Sequence, residues 1–383
     1  MAFIGEFQAV LDQLHKNREE PLQQFFLKRS NMSLEDIRSY EDFIRIKPFT
    51  KGELSQLQTE NPPFAGLIDK GRISKIFQSP GPIYNVKGEA FTYYRFHKAL
   101  EMAGFGAGDI VLNTFSYHLS PAGEMFDDAL LKIGAVTFPL GPTGSDKAAE
   151  LAAAIGATAF IGTRTFLLKT LEHLQGRHQI KKAYLIAEKL TEADRLMFQQ
   201  DFAVAAFQGY GTAEVGLIAT EDSRQDGMVV DGEAIFLEIV EPGSGTPVPG
   251  DATGEAIVTF LNSTTPYLRL ATGDLSRIHP ERPECIAGIF GRADSSVKVK
   301  GVFVHFWQFE SLCQRLEIKA RLVVESATKG TDRIVLLVAE AADEKKLSAE
   351  FKQTFGLTLG QIKVDGTIEK SEITDNRTHL SER

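Results

Sequence analysis

In the stretch from Phe207 to Glu221, FQGYGTAEVGLIATE, Gly209 and Gly211 flank an aromatic in a turn that follows an apolar strand. The missing Cβ atoms let backbone approach a flat ligand, and Tyr210 offers that ligand a ring face. Glu214 adds a hard oxygen of the type that binds Mg²⁺. Standing alone, the stretch reads as a Gly-rich turn with a surface glutamate. Further on, Thr272-Gly273-Asp274 ends the apolar strand YLRLATGD. An acidic residue there can accept both hydroxyls of a ribose. From Gly291 follows GRADSSVKVKG, whose Arg292 and Asp294 sit where a ligand-touching hinge pair would sit. The bland alternative is a polar linker into an edge strand solvated by its lysines.

Positioning these residues falls to a strand-then-helix rhythm between about 72 and 190: KIFQ, YRFHKALEMAGF, DIVLNTF, GEMFDDALLKIG, AVTFPL, DKAAELAAAIG, ATAFIGT, FLLKTLEHLQ and KKAYLIA. Such alternation implies a mostly parallel sheet covered by helices on both faces. After Gly211 the pattern turns strand-rich, predicting an antiparallel β subdomain. Residues 1 to about 60 read as a helical packing arm, with Asn31 and Ser33 as helix caps ahead of LEDIRSYEDFIRI. A final change near 291 predicts a compact α+β unit. The expected architecture is α/β, with a large domain over 1–290 and a small mobile α+β domain over 291–383.

Composition bounds the reading. With 383 residues, 43% hydrophobic and 24% charged, the chain can bury large cores. Its net charge of −9 argues against general affinity for nucleic acid or an anionic membrane. Cys285 and Cys313 are the only cysteines, too few for a disulfide framework or a four-thiolate metal site. The N-terminus reads as an amphipathic helix and not a signal peptide, and no apolar run reaches bilayer length, so a cytoplasmic protein is expected. Gly104, Gly106 and Gly108 follow a helix and precede a strand, the wrong order for a dinucleotide loop, and read as a helix C-cap and turn. His97, His118 and His305 lack ligand partners nearby in sequence.

Taken in order, the three chemical stretches resemble the adenylate-forming superfamily of acyl-CoA synthetases, and most closely its phenylacetate–CoA ligase branch. LEDIRSYEDFIRIKPFTKGEL, GAGDIV and the GAVTFPLGP to IGTRTFLLKTLE region extend the likeness over nearly the whole chain. The resemblance implies that Tyr210 stacks near adenine, that Gln208, Gly209, Gly211 and Thr212 line the nucleotide, and that Glu214 holds Mg²⁺. It further implies that Asp274 binds the ribose with Arg292 beside it. Glu188 falls in the adenine loop, where Lys189 departs from the usual proline. Asp294 falls on the hinge, and Lys300-Gly301 on a loop that enters the active site. By family position, Phe115 to Pro121 and Thr163 to Phe166 line the acid pocket.

The implied reaction is attack of a carboxylate on the α-phosphorus of ATP, then displacement of AMP by a thiol, usually coenzyme A. Three departures stand out. Where a phosphate loop is expected the chain reads Gln78 to Gly88, QSPGPIYNVKG, with Ser79 and Lys87 as its phosphate-binding candidates. Pro80 and Pro82 supply no N–H there. Ala213 replaces a hydroxyl residue, and Ile373-Thr374 stands where relatives carry a Gly-Lys pair, with Lys370 and Arg377 as nearby cations. The expectation is an AMP-forming acyl- or aryl-CoA ligase using ATP, Mg²⁺ and coenzyme A on a small carboxylic acid. The alternative is a non-catalytic adenylate-binding relative. A second copy of the chain or a carrier protein stays open as partner.

Overall fold

The computed structural model describes residues 3–79, 83–293, 297–300, 302–304, 306–326 and 332–377. Asp294, Gly301, His305 and the three residues Pro80, Gly81 and Pro82 lie outside the described residues. The chain divides into two units. Of the described residues, one unit comprises those within 3–79, 83–272 and 276–289; the other comprises 273–275 and those from 290 onward.

In the first unit the strand-then-helix rhythm produces an eight-stranded sheet. Its order is Cys285–Ile286, Met228–Val230, Gly216–Thr220, Ala205–Thr212, Lys182–Leu185, Ala159–Gly162, Ile110–Asn113, Val136–Pro139. The last five in that order pair in parallel and the first three join antiparallel. Successive side chains serve opposite cores. Val111, Ile161 and Tyr184 join the cluster of Val10, Leu14 and Phe26. Leu112, Phe160, Ala183 and Leu185 join Leu167, Leu171 and Phe198 of the crossover helices. Burial on both faces is why these strands read as continuous apolar runs.

A second sheet of this unit orders Phe3–Ile4, Ile235–Val240, Gly254–Phe260 and Leu270–Ser276, and Phe49–Thr50 lies parallel against the start of the last strand. The Leu270–Ser276 strand carries Gly273–Leu275, which belong to the second unit. The N-terminal arm is helical at Phe7–Lys16, Pro21–Arg29 and Lys51–Glu60. The expected helix over LEDIRSYEDFIRI is broken instead. Ser33 caps only the turn Leu34–Asp36, and Ser39 starts a separate short helix, Tyr40–Phe43. Both serines close capping boxes three residues ahead, so two local nuclei compete for one segment. Asn31 takes a left-handed φ of 54° and is no N-cap.

KIFQ does not enter the main sheet. Ile73–Ser79 and Ile83–Gly88 form a separate hairpin whose last pair is Ser79 with Ile83. The segment expected as an open phosphate loop is therefore paired strand on both sides of its three-residue connection. Gln58 fixes it: its side chain accepts the Tyr84 N–H at 2.7 Å and donates to the Tyr84 carbonyl at 2.9 Å.

The second unit has its own core of Val297, Val299, Phe309, Leu322, Leu336 and Phe351. Its four-stranded sheet orders Gln361–Val364, Asp332–Val338, Ala320–Ser326 and Glu372–Asp375. Helices Phe306–Arg315 and Glu344–Phe355 and a small hairpin, Val297–Val299 with Val302–Val304, complete it.

Candidate nucleotide site

The Gly-rich stretch is a tight antiparallel hairpin. Thr212 pairs with Gly216 and Gly211 with Leu217, and a bulge shifts the register before Tyr210 pairs with Ala219. Only Ala213, Glu214 and Val215 form the turn. Gly216 closes it at φ 74°, a backbone conformation that costs a side chain dearly. Arg195 and Glu221 brace the base of the hairpin. The Glu221 carboxylate meets Arg195 Nη2 at 2.6 Å and accepts the Gln208 N–H at 2.6 Å. Burial pushes the Glu221 carboxyl up, against the pull of Arg195. The Tyr210 ring packs into the main core, 7% exposed, so it supports the hairpin from within.

Glu214, expected to hold Mg²⁺, is buried. Its Oε2 accepts no hydrogen bond but lies 3.1 Å from Lys51 Nζ. Burial alone would push this carboxyl up, and the Lys51 charge reverses the balance, holding it below the usual carboxylate range. Lys51 is fixed as the first residue of helix Lys51–Glu60. Thr50 caps that helix, exchanging bonds with Glu53, and pairs with Ala271 in the second sheet. A divalent ion on Glu214 would lie within about 4 Å of the ammonium and be repelled by on the order of 8 kcal/mol at an effective dielectric constant near 20. Among the described residues no group of three or more His, Cys, Asp or Glu could hold a metal. The residues present therefore do not fit Mg²⁺ resident on Glu214.

Other expected residues are committed to structure. The Glu188 side chain accepts the Thr165 N–H at 2.8 Å, at the start of helix Arg164–Leu174, while its carbonyl accepts from Gln208 Nε2 at 2.9 Å. Glu188 thus meets the Thr163 to Phe166 segment and Gln208 in one local network. Lys87 is buried with its ammonium between Glu124, at 2.8 Å, and Asp128. Burial works against its charge, but the two carboxylates raise its pKa overall. Ser79 Oγ accepts from Asn85 Nδ2 at 2.7 Å within the closed hairpin. Neither residue stands on an open loop. Of the acid-pocket candidates, Tyr117 donates to Asp127 at 2.7 Å, and Asn113 and Thr137 complete that network. His97 and His178 are partly buried, and burial lowers both pKa values.

In the second unit Asp274 and Arg292 pair across two strands, with Arg292 Nη1 2.6 Å from Asp274 Oδ1. Lys300 lies at the turn of the small hairpin at φ 49°, its N–H donating to Asp332 at 3.0 Å. Ile373 and Thr374 lie in a strand paired with Leu322 and Val323. Arg377 is held by Asp375, by Asp332 and by the Lys298 carbonyl, while Lys370 is exposed.

Both cysteines are buried, and burial pushes the Cys285 thiol up to about 12. Neither is a ready nucleophile. The native protein is expected to react with no equivalents of a thiol-specific chromogenic disulfide at pH 8 within minutes, and with two after denaturation. Fast labelling of the native chain would refute this.

No protein-family model matches the sequence. A phenylacetate-coenzyme A ligase of Aromatoleum evansii is 24% identical over 314 residues, 76% of this chain and 70% of that enzyme. The enzyme of the same name from Escherichia coli is 25% identical over 234 residues, where the match spans 54% of its length. Among solved structures, a 2-hydroxyisobutyryl-CoA ligase in complex with 2-HIB-AMP and CoA superposes with a TM-score of 0.85 at 18% identity, covering 98% of this chain and 90% of that one. The amide bond synthetase McbA of Marinactinospora thermotolerans gives 0.62 at 17% identity, over 80% of this chain and 68% of its own. No helix among the described residues is long and apolar enough to cross a membrane. The extent of sequence similarity and the shared architecture support a likeness to the adenylate-forming superfamily, on its phenylacetate–CoA ligase-like branch.

Proposed function

We propose that the chain activates a carboxylic acid as its acyl-adenylate and passes the acyl group to an external thiol, coenzyme A. A carboxylate oxygen bonds to the α-phosphorus of ATP while the bond to the β-phosphate oxygen breaks, releasing pyrophosphate. The thiolate then attacks the acyl carbon and AMP leaves. Gln208 to Thr212 line the nucleotide, Asp274 accepts its ribose hydroxyls with Arg292 beside it, and Lys300 serves the acyl-transfer step. Both anionic reactants of the first step need cationic or N–H stabilisation. The observation that carries this reading is the tight Thr212–Gly216 turn, whose buried Glu214 carboxylate is charge-paired with Lys51. The relatives' names point to an aromatic or short hydroxylated acid and to coenzyme A.

A second reading, an adenylate-binding protein without ATP-dependent adenylation, draws on the closed Ser79–Ile83 hairpin, the captured Lys87 and the strand-bound Ile373-Thr374. One assay separates the two. The first predicts ATP–pyrophosphate exchange stimulated by a member of a carboxylic-acid panel and reduced at least a hundredfold in Asp274→Ala. Calorimetric AMP binding with no exchange for any acid would select the second.

A further inference from the structure

Lys51 carries no part in the reaction as set out above, yet it makes the closest charge contact in the Gly-rich turn. Resting on the reading of that turn as a nucleotide site, we propose that Lys51 is its resident cation. The ammonium replaces a divalent ion at Glu214 and bonds the α-phosphate oxygens of the bound adenylate. Three observations support this. The Glu214 carboxylate is buried, and its Oε2 faces Lys51 without accepting a hydrogen bond. The lysine compensates the carboxylate's charge while its N–H groups stay available to a second acceptor. Its anchorage is rigid: Phe49 packs against Phe25 and Phe26, Thr50 pairs with Ala271, and Glu53 closes the helix cap and meets Arg29. These contacts fix the backbone from which the Lys51 side chain reaches Glu214. The other lysine expected near phosphate, Lys87, is already held by Glu124 and Asp128.

The test uses the full chain, AMP as probe, and Mn²⁺ as the reporter of any metal site. Wild type should bind AMP by calorimetry with the same affinity, within twofold, in EDTA and in millimolar Mg²⁺. It should also leave the electron paramagnetic resonance signal of free Mn²⁺ unchanged, with or without AMP. Lys51→Met should weaken AMP binding in EDTA at least tenfold and should likewise leave the Mn²⁺ signal unchanged, since an uncompensated buried Glu214 takes up a proton. Lys51→Arg, which keeps the charge, should restore AMP binding to within about threefold. It serves as the decisive variant if Lys51→Met melts too low to measure. Mn²⁺ uptake by wild type, or Mg²⁺-dependent AMP binding by wild type, overturns the proposal. So does Lys51→Met or Lys51→Arg behaving otherwise. If wild type binds no AMP, the nucleotide reading itself fails. The proposal then falls with it, whereas AMP binding by wild type that Lys51→Met leaves intact ends the proposal alone.

Discussion

Arg269→Met is expected to lower the unfolding free energy by about 3–5 kcal/mol, because it strands a buried charge. Arg269 is wholly buried, its Nε 2.9 Å from Glu238 Oε2, and Glu238 is equally inaccessible. The guanidinium also donates to the carbonyls of Ile44 and Ile46 at 2.6 and 2.7 Å and of Gly245 at 2.7 Å. Methionine fills much of the volume but supplies none of these donors. Glu238 then keeps only the Tyr40 hydroxyl, at 3.1 Å.

The pH dependence has a definite sign. Burial already raises the Glu238 pKa, with Arg269 opposing it. Without Arg269 the carboxyl rises further, so the native state holds a proton that the unfolded state has released. Stability of the variant should therefore fall as pH rises from the unfolded glutamate pKa through the raised native one, and recover on acidification. Adding Glu238→Gln removes the charge and should flatten that dependence while restoring part of the loss. Urea denaturation at pH 5 and pH 8 checks both expectations, and a variant within 1 kcal/mol of wild type at pH 8 would refute the first. The effect reaches the candidate site, since the Phe49 N–H bonds the Arg269 carbonyl at 2.9 Å and Phe49 leads directly to Lys51.

Much of this architecture was legible because its signals are local. Apolar runs separated by helical segments expose the doubly covered sheet, and Gly104 ends helix Phe96–Met102 at φ 75° as its position suggests. Glu214 and the glycines around Tyr210 stood out for the same reason. What stayed hidden depends on distant chain segments. Nothing near residue 51 reveals that its ammonium meets Glu214, although the Thr50-to-Glu53 capping box marks the helix start that carries it. Lys87 looked like a phosphate contact because it falls where the resemblance places the phosphate loop. Its partners lie on helix Ala122–Lys132, which spacing alone does not bring near. Glu188 looked like a ligand contact and is turned instead to the start of helix Arg164–Leu174. Arg269 left one overlooked trace, a lone charge inside the apolar run YLRLA.

Gly216→Ala should damage the site severely, costing about 2–5 kcal/mol from two sources. An L-residue forced into the left-handed region loses about 1–2 kcal/mol, and overpacking a filled position adds about 1–3. The new Cβ would lie 2.6 Å from the Tyr94 carbonyl oxygen and 2.8 Å from Tyr94 Cα, at φ 74°. Those atoms are backbone and have little room to yield. Leu217 N–H bonds that same carbonyl at 3.0 Å, and Arg95 Nη2 clasps the carbonyls of Val215 and Leu217, each at 2.7 Å. Relief must therefore come from the turn, whose displacement carries Glu214 away from Lys51. Loss of AMP affinity should accompany the loss of stability, which calorimetry and a denaturant titration measure on one preparation. Gly106→Ala is the matched control: its Cβ meets nothing within 4 Å, so stability and binding should stay near wild type. Equal behaviour of the two variants would mean that the turn tolerates a side chain at 216. The rigid presentation of Glu214 would then fail, and with it the reason for expecting one lysine to serve in place of a metal.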